Sequence, residues 1–385
     1  MNAARHALLL AFATWFTSTT ASPFCPYDVP PTRPLPGKLF TTQGCTCDDG
    51  KLDCYNLLEL PELNHERFME VVTSATFEEG QIALIPSNRL PANLTAITFR
   101  ENPISFIAED AFDSSASTLR VLIFSKAAFT GLPSALLRLP NISTFSVSNT
   151  PVVNVEQIST FPFASKLVNL DISYLGLSVM PNLRNLTSLS NISLGYNNIK
   201  CVPSDMYPMQ ISSIDLQFNQ LNEITNTSFI GYPNLKYLRL NNNPVTIISS
   251  SAFISLGSLE TLQLSSTLIK TLPLDLPALT SLDLLDVSAS PIECDCPHNS
   301  QLVLWHASYR GRLFGTCTDG RDINDYLTGS CESPSTTTCT ITTTMTTTTV
   351  TKDGGDDDAC PTVACNVMLR YSCLLVLCLM YFYTG

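Results

Sequence analysis

Cysteine and histidine supply the densest group of chemically reactive side chains in this sequence. Cys294, Cys296 and His298 lie within the five residues of "CDCPH", and His306 follows eight residues later. Thiolates and imidazoles at such close spacing can bind a structural zinc ion. The same cysteines form disulfides in an oxidising compartment, so their chemistry depends on where the chain folds.

The first 21 residues predict that compartment. Arg5 and His6 precede the apolar stretch "ALLLAFATWF" at 7–16, and the small residues of "TSTTA" follow. This order is typical of a secretory signal peptide cleaved after Ala21, and ten apolar residues are too few to span a bilayer. A buried N-terminal helix is the alternative. Because secretion favours disulfides over zinc, we expect no metal and no cofactor.

Two groups of four cysteines flank a long central segment and are the candidates for these disulfides. Four cysteines allow three pairings, and their spacing does not choose among them. Inside the central segment we expect Cys201 to be a buried thiol. Cys339 lies beyond the second group, in a Thr-rich stretch, and could join two chains through a disulfide. The first group is Cys25, Cys45, Cys47 and Cys54; the second is Cys294, Cys296, Cys317 and Cys331.

The remaining composition argues against catalysis. Beyond the signal region the histidines are His65, His298 and His306, and we find no nucleophile motif, phosphate-binding loop or catalytic pair of carboxylates. The formal net charge of −12 disfavours a nucleic-acid partner. We therefore expect a protein that is not an enzyme and does not bind nucleic acid.

The central segment repeats one apolar pattern. L-x-x-L-x-L-x-x-N-x-L, with apolar substitutions, recurs ten times at intervals of 22 to 25 residues, as in "LSNISLGYNNI" at 189–199. Such regular recurrence predicts a leucine-rich repeat array. The ten repeats begin at Val72, Leu94, Leu119, Ile142, Leu167, Leu189, Ile211, Leu235, Leu259 and Leu282.

The spacing within the pattern predicts how each repeat folds. We number its eleven residues as positions 1 to 11. Positions 4 and 6, such as Ile192 and Leu194, share the core face of a short strand, while positions 3, 5 and 7 face solvent. Each strand should pair in parallel with the next, and the asparagine at position 9 should bond backbone groups of the buried turn. Four repeats have this asparagine, at Asn102, Asn197, Asn219 and Asn243, so we expect an irregular ladder elsewhere.

The residues between the patterns return the chain along the convex side. Their recurring phenylalanines and Leu-Pro-like steps should form an apolar spine, and the prolines argue against long convex helices. The expected fold is an α/β-type solenoid: a leucine-rich repeat horseshoe with a curved parallel sheet, a mostly irregular convex side and disulfide caps at both ends. The steps begin at Ile85, Leu132, Met180, Val202 and Leu272, and the phenylalanines are Phe112, Phe229 and Phe253.

The composition changes twice beyond the second cysteine group. Twelve of the nineteen residues at 333–351 are threonine, which predicts a disordered, O-glycosylated stalk. Small and acidic residues at 353–360 then precede the apolar stretch 371–385. A small-residue site, a spacer and an apolar tail form the pattern of a glycosylphosphatidylinositol (GPI) anchor signal. We therefore expect a GPI-anchored protein on the extracellular face of the plasma membrane; a tilted membrane helix over 359–385 is the alternative.

The flanks of the array resemble those of extracellular leucine-rich repeat proteins. C-x-C-x6-C at 45–54 precedes the repeats, and P-x-x-C-D-C at 291–296 follows them with Trp305 and two more cysteines. With the stalk and tail, this plan is similar to the Nogo receptor family and to the variable lymphocyte receptors of jawless vertebrates. The resemblance implies first-to-third and second-to-fourth pairing in each group: Cys25–Cys47, Cys45–Cys54, Cys294–Cys317 and Cys296–Cys331.

These features divide the chain into six expected segments. They are a signal peptide at 1–21, an N-terminal cysteine cap at 22–71, ten leucine-rich repeats at 72–292, a C-terminal cysteine cap at 293–332, a Thr-rich stalk at 333–352, and an anchor signal with hydrophobic tail at 353–385.

Position 8 is aromatic in three successive repeats and marks a candidate ligand-binding surface. Tyr174, Tyr196 and Phe218 should form a ridge of roughly 10 Å where the strands end, because strands lie about 4.8 Å apart. Aromatic and arginine side chains are frequent interface anchors. The alternative is that the rings only cover the asparagine turn. Beside the ridge we expect Asp171, Asp215 and Arg239 at position 5 and Tyr237 at position 3.

Five N-x-S/T sequons predict where glycans lie. Asn191 is position 3 of the repeat that contains Tyr196, so its glycan would screen the strand-entry side and leave the exit edge open. The sequons are at Asn93, Asn141, Asn185, Asn191 and Asn226.

The expected function is that of a cell-surface recognition or adhesion receptor. Its solenoid would bind an extracellular protein or glycan, and a lipid-anchored chain would signal through a co-receptor. The alternative is a secreted or matrix leucine-rich repeat protein. Proteoglycans of that kind carry glycosaminoglycan on Ser-Gly pairs, and this sequence contains no Ser-Gly dipeptide.

Overall fold

The computed structural model describes residues 44–63, 72–294 and 300–328. The strands, in chain order, are β1 (Gly44–Asp48), β2 (Lys51–Tyr55), β3 (Ser74–Glu78), β4 (Leu84–Ile85), β5 (Ala96–Arg100), β6 (Phe106–Ile107), β7 (Val121–Ser125), β8 (Thr144–Ser146), β9 (Asn169–Asp171), β10 (Asn191–Ser193), β11 (Ser213–Asp215), β12 (Glu223–Ile224), β13 (Tyr237–Arg239), β14 (Ile247–Ile248), β15 (Thr261–Gln263), β16 (Leu284–Asp286) and β17 (Arg312–Phe314). The α-helices are α1 (Ser300–Ser308) and α2 (Ile323–Thr328).

One long sheet passes through this described part of the chain. Its thirteen strands follow the order β1-β2-β3-β5-β7-β8-β9-β10-β11-β13-β15-β16-β17. β1 is antiparallel to β2, and every later pair is parallel. Each of the ten predicted repeats contributes one strand that contains its position 4. The prediction of a parallel leucine-rich repeat solenoid is therefore confirmed.

The apolar residues of the strands form a continuous core. Positions 4 and 6 are buried in all ten repeats; Ile192 is 2% exposed and Leu194 is fully buried. Position 6 of the first three repeats is phenylalanine, and the centroids of Phe77, Phe99 and Phe124 follow one another at 4.9 and 5.7 Å. Burial of a side chain of this size stabilises the fold by about 1.5–3 kcal/mol, so the strand core dominates the stability of the array.

The asparagine ladder connects neighbouring repeats. In each of the four repeats, the side-chain amide donates to a carbonyl of its own strand and one of the preceding strand, and its oxygen accepts a backbone N–H of the preceding repeat. Where asparagine is missing, hydroxyls take over part of this role. Thr150 accepts from the Ala127 N–H at 3.2 Å, and Ser290 accepts from the Thr267 N–H at 3.1 Å. The ladder is thus irregular, as predicted. Because hydroxyls replace some of the missing asparagines, fewer backbone groups are left unpaired than the loss of asparagine alone would leave.

Gly80 occupies position 9 of the first repeat because no side chain fits there. A Cβ at this residue would lie 2.4 Å from the Asn102 Oδ1 and 2.7 Å from the Leu57 carbonyl oxygen. Both contacts are shorter than atoms tolerate, so the next repeat's asparagine excludes any side chain at residue 80.

The return segments pack as the sequence predicts. The apolar residue of each Leu-Pro-like step is buried, and so are Phe112, Phe229 and Phe253, with the last two rings 6.0 Å apart. Among the described residues these segments carry the strand pairs β4–β6 and β12–β14 and short 3-10 helices. The 3-10 helices are Asp113–Ser115, Ser134–Arg138, Val155–Thr160, Ala164–Lys166 and Leu276–Ala278.

Disulfides lie near both ends of the sheet. Cys45 in β1 and Cys54 in β2 are paired in register and bonded, and Cys294 is bonded to Cys317. These are two of the pairings that the resemblance implies. Cys47 is also disulfide-bonded, while Cys25, Cys296 and Cys331 lie outside the described residues.

Three segments of the expected plan fall on parts of the chain that the structure does not describe. The signal peptide, the stalk and the anchor tail lie outside the described residues. Among the helices that are described, neither has the length and hydropathy needed to cross a membrane.

Candidate ligand-binding surface

Position 8 bends the backbone in the same way in every repeat. Its φ lies between 51° and 58° in all ten, which is the left-handed region that asparagine and glycine tolerate best. Asn149 and Asn242 fit this preference, whereas Tyr174, Tyr196 and Phe218 are bulky residues that rarely adopt it. The ten residues are Glu79, Glu101, Lys126, Asn149, Tyr174, Tyr196, Phe218, Asn242, Ser266 and Ala289.

The three aromatic residues form one continuous stack, which we call the ring stack. The Tyr174 and Tyr196 centroids are 4.1 Å apart with planes at 9°, and those of Tyr196 and Phe218 are 4.3 Å apart with planes at 11°. The three side chains are 48%, 37% and 39% exposed. Stacked pairs of this kind contribute about 0.5–1.5 kcal/mol beyond their buried area, which offsets part of the backbone strain.

The exposure of the ring stack argues against a purely local role. Asn197 and Asn219, the neighbouring ladder residues, are buried and fully hydrogen-bonded within the turn. The rings nevertheless leave more than a third of their surface in solvent. Partial desolvation raises the pKa of Tyr174, and its hydrogen bond with Tyr196 adds to the effect.

Beside the ring stack lies the solvent side of the main sheet, formed by positions 3, 5 and 7, which we call the sheet face. Asp215 at position 5 is buried and accepts the Gln217 N–H at 3.0 Å, and Arg239 lies 3.6 Å from it. Burial raises the pKa of Asp215 even though the Gln217 hydrogen bond and Arg239 oppose the change. Asp171 accepts the Ser173 N–H at 3.1 Å and the Ser146 hydroxyl at 3.0 Å.

The structure brings together some of the predicted site residues and separates one. Asp171, Asp215 and Arg239 line a single concavity of about 580 Å³ on the sheet face. Tyr237 lies at position 3, near the start of its strand, whereas the ring stack lies beyond the strand ends. The Tyr237 hydroxyl donates to Glu260 at 3.1 Å. Tyr237 is therefore fixed by a neighbouring repeat rather than joined to the aromatic ridge.

The sheet face also contains an amide ladder that our sequence analysis missed. The Asn191 Nδ2 donates to the Asn169 Oδ1 at 2.7 Å, and the Asn169 Nδ2 donates to the Thr144 Oγ at 3.0 Å. Because the strands pair in register, reading position 3 down the repeats would have revealed this column. Arg100, at the far end of the concavity, was missed for the same reason.

The sequons differ in how freely their amides face solvent. Asn93, Asn185 and Asn226 are exposed, whereas Asn141 and Asn191 are half-buried. Asn141 donates to the Ser117 carbonyl at 3.0 Å and accepts from Lys166 at 2.6 Å. The amide of Asn191 belongs to the ladder just described. Glycans at the three exposed positions would disturb no hydrogen bond among the described residues, and occupancy of all five remains a prediction.

Our expectation for Cys201 is wrong. The residue is a free cysteine with an exposed side chain, not a buried thiol. Ile199 and Val202 are buried on either side of it, because the alternation of the strand has ended by this point and the turn directs residues 200 and 201 to solvent.

The later part of the array matches a known family model. Residues 209–269 and 233–291 each match the family model for the leucine rich repeat. With the parallel solenoid described above, this match gives the fold as a leucine-rich repeat horseshoe. The strands, ladder and apolar spine of its repeats are the elements that carry the ring stack and the sheet face.

Three relatives contain similar repeats. The chain is 31% identical over 206 residues to leucine-rich repeat-containing G-protein coupled receptor 5 of Xenopus tropicalis, 27% identical over 191 residues to chaoptin of Drosophila melanogaster, and 30% identical over 149 residues to oligodendrocyte-myelin glycoprotein of Homo sapiens. These alignments cover 51%, 47% and 38% of this chain and 22%, 14% and 33% of the relatives. The chain therefore spans a third or less of their length, and the activities of those whole proteins do not follow from the match.

Proposed function

We propose that this protein is a cell-surface recognition or adhesion receptor that binds an extracellular ligand through its leucine-rich repeat solenoid and performs no catalysis. The observation that carries the proposal is the ring stack: three bulky aromatic residues hold an unfavourable backbone conformation and stay exposed beside a polar concavity. Exposed aromatic groups held rigidly in place are typical anchors of protein interfaces.

Several features support placement outside the cell. The disulfides near both ends of the sheet require an oxidising compartment, which agrees with the signal peptide expected at 1–21. One relative is named a receptor and another a glycoprotein. We propose in addition that a GPI anchor tethers the chain through the segment 353–385, that a Thr-rich stalk precedes it, and that a co-receptor passes on any signal.

The similarity of this plan to the Nogo receptor family and the variable lymphocyte receptors belongs to the same proposal. It depends on the cysteine pattern, stalk and tail rather than on the repeats. A secreted or matrix protein would share the solenoid but would not be tethered to the cell that makes it.

Two measurements on full-length protein test this function. Cultured cells that express the chain should expose it at their surface, and phosphatidylinositol-specific phospholipase C should release it into the medium. The same cells should bind components of an array of soluble extracellular proteins and glycans that mock-transfected cells do not bind. A chain retained inside the cell, or surface chains that bind nothing in either class, would contradict the proposal.

A further inference from the structure

The middle of the ring stack adjoins a notch in the sheet face. Asp171, Ser193 and Asp215 occupy position 5 of three adjacent strands and are paired in register. Two strand spacings separate the carboxylates by about 10 Å, and only the small Ser193 side chain lies between them. Gly195, two residues further along the middle strand, adds no side chain; a Cβ there would lie 3.2 Å from the Gln217 Cγ and 3.7 Å from the Asp215 Oδ1.

The two carboxylates are fixed in position by backbone and side-chain donors: the Ser146 and Ser173 hydroxyls donate to Asp171, and the Gln217 Nε2 donates to Asp215. The Ser173 N–H donates to Asp171, and the Gln217 N–H donates to Asp215. Each carboxylate therefore accepts the backbone N–H of the residue two positions after it. Arg239 approaches Asp215 from the far side of the notch at 3.6 Å. Among the described residues no basic side chain forms an ion pair with Asp171. Burial is the largest cause of the raised pKa of Asp215, and the charge of Asp171 also raises it. The two carboxylates therefore repel one another across the notch.

The middle ring of the stack, Tyr196, offers its edge rather than a face to a ligand. Both faces of Tyr196 are covered, one by Tyr174 at 4.1 Å and the other by Phe218 at 4.3 Å. What remains of Tyr196 in solvent is the ring edge with its hydroxyl. This edge suits contact with apolar side chains, which pack against ring edges, better than it suits a sugar ring, which needs an open aromatic face.

We infer, building on the proposed function, that the ligand is a protein segment that places an arginine or lysine side chain over Ser193, between Asp171 and Asp215, and packs an apolar neighbour against the ring stack. A cation at this point would offset the repulsion between the two carboxylates. An arginine would in addition form charge-assisted hydrogen bonds with them, which are about twice as strong as neutral ones. The negative charge of the whole chain, −12, favours approach of the same partner.

Peptides of random sequence displayed on phage provide a probe that does not require the natural partner. The library is selected on cells that display the full-length chain, after subtraction on mock-transfected cells. The most enriched peptide is then synthesised and titrated on cells that carry wild type, Asp171→Ala, Asp215→Ala or Tyr196→Asn with Phe218→Asn. Alanine is used at the aspartates because asparagine at residue 171 or 286 would create an N-x-S sequon. Asp286→Ala is the matched control, because Asp286 also occupies position 5 and accepts the N–H two residues later, at 2.9 Å.

The inference predicts that the enriched peptides share an arginine or lysine next to an apolar residue. Binding should fall about tenfold or more in Asp171→Ala and Asp215→Ala, should also fall in the double ring variant, and should be unchanged in Asp286→Ala. Peptides without a basic residue, or binding that needs the rings but tolerates both aspartate variants, would overturn the inference while leaving the proposed function intact. No enrichment, or binding indifferent to rings and carboxylates alike, would count against the proposed binding surface itself. Surface staining of each variant shows that it folds and is exported.

Discussion

Asn219 hydrogen-bonds the Leu194 carbonyl oxygen of the preceding repeat, with its Nδ2 at 3.0 Å. The same amide group donates to the Leu216 carbonyl at 3.0 Å, and its oxygen accepts the Ile199 N–H at 3.0 Å. One buried side chain thus completes the hydrogen bonding of two turns. Because a solenoid is stabilised by contacts between adjacent repeats, such a residue couples the folding of its neighbours.

Removal of this side chain should destabilise the protein measurably. In Asn219→Ala the buried Ile199 N–H loses its partner, whereas the Leu194 and Leu216 carbonyls keep the amides of Asn197 and Asn243. An unsatisfied buried group of this kind costs about 1–3 kcal/mol. We expect the midpoint of urea unfolding to fall by an amount equivalent to at least the lower value. Asn222→Ala, at an exposed residue three positions later, is the control and should leave the midpoint unchanged. Equal midpoints for the two variants would show that the ladder does not couple the repeats.

The left-handed backbone at Tyr196 leads to a specific order of stabilities. Both Tyr196→Asn and Tyr196→Ala remove two stacking contacts of about 0.5–1.5 kcal/mol each. Asparagine tolerates a φ of 57° better than alanine does, so Tyr196→Asn should have the higher thermal midpoint. Differential scanning fluorimetry of the pair measures this. An alanine variant as stable as the asparagine variant would mean that position 8 is not strained.

Asp275 should make stability depend on pH. It is buried, its Oδ2 accepts the Phe253 N–H, and its Oδ1 has no hydrogen-bond partner among the described residues. Burial raises the pKa of this carboxyl above its usual 3.8, against the effect of the Phe253 hydrogen bond. A carboxyl with a raised native pKa stabilises the fold fully below 3.8 and loses that contribution as the pH rises through the native value.

The test of this linkage compares Asp275→Asn with wild type at two pH values. The variant carries no charge to bury, so it should be more stable than wild type at pH 7, and its advantage should shrink below pH 3.8. Urea midpoints at both pH values give the difference, with the exposed Asp325→Asn as control. A variant that is less stable than wild type at pH 7 would show that the charged carboxylate is favoured in the fold.

Cys201 should react with a thiol reagent in the native protein. Its side chain is exposed, so iodoacetamide should modify it without denaturant, and Cys201→Ser should change stability by no more than about 0.5 kcal/mol. Mass spectrometry of the peptide that contains residue 201 gives the extent of modification. If Cys201 reacted only after the chain was unfolded, the result would support the buried thiol that the sequence pattern predicted.

The strands and their core could be predicted from the sequence because each repeat has the same local pattern. Positions 4 and 6 alternate about a solvent-facing residue, and that alternation alone places Ile192 and Leu194 in the core. The alignment of Tyr174, Tyr196 and Phe218 followed from the same register. Their stacking distance and exposure did not, because these depend on side-chain rotamers that a pattern does not specify.

The features that the sequence did not predict involve residues outside the repeating pattern or contacts between repeats. Cys201 and Asp275 lie in return segments whose lengths vary, so no periodicity indicates which side chains point inward. The Asn169–Asn191 amide ladder and the position of Arg100 arise from contacts across strands. Such contacts appear only when the repeats are compared column by column.

Binding through the ring stack is the central claim, and one comparison of affinities tests it. Cells displaying the full-length wild type, Tyr196→Asn, Phe218→Asn or the convex-side control Ile254→Asn would be titrated with an extracellular protein that binds the wild type. Ile254 is 61% exposed and lies on a return segment, so it is an apolar residue more exposed than the rings and away from them. Each ring variant should weaken binding by about 1–3 kcal/mol while the control does not. Unchanged affinity in both ring variants, with normal surface expression, would contradict the account.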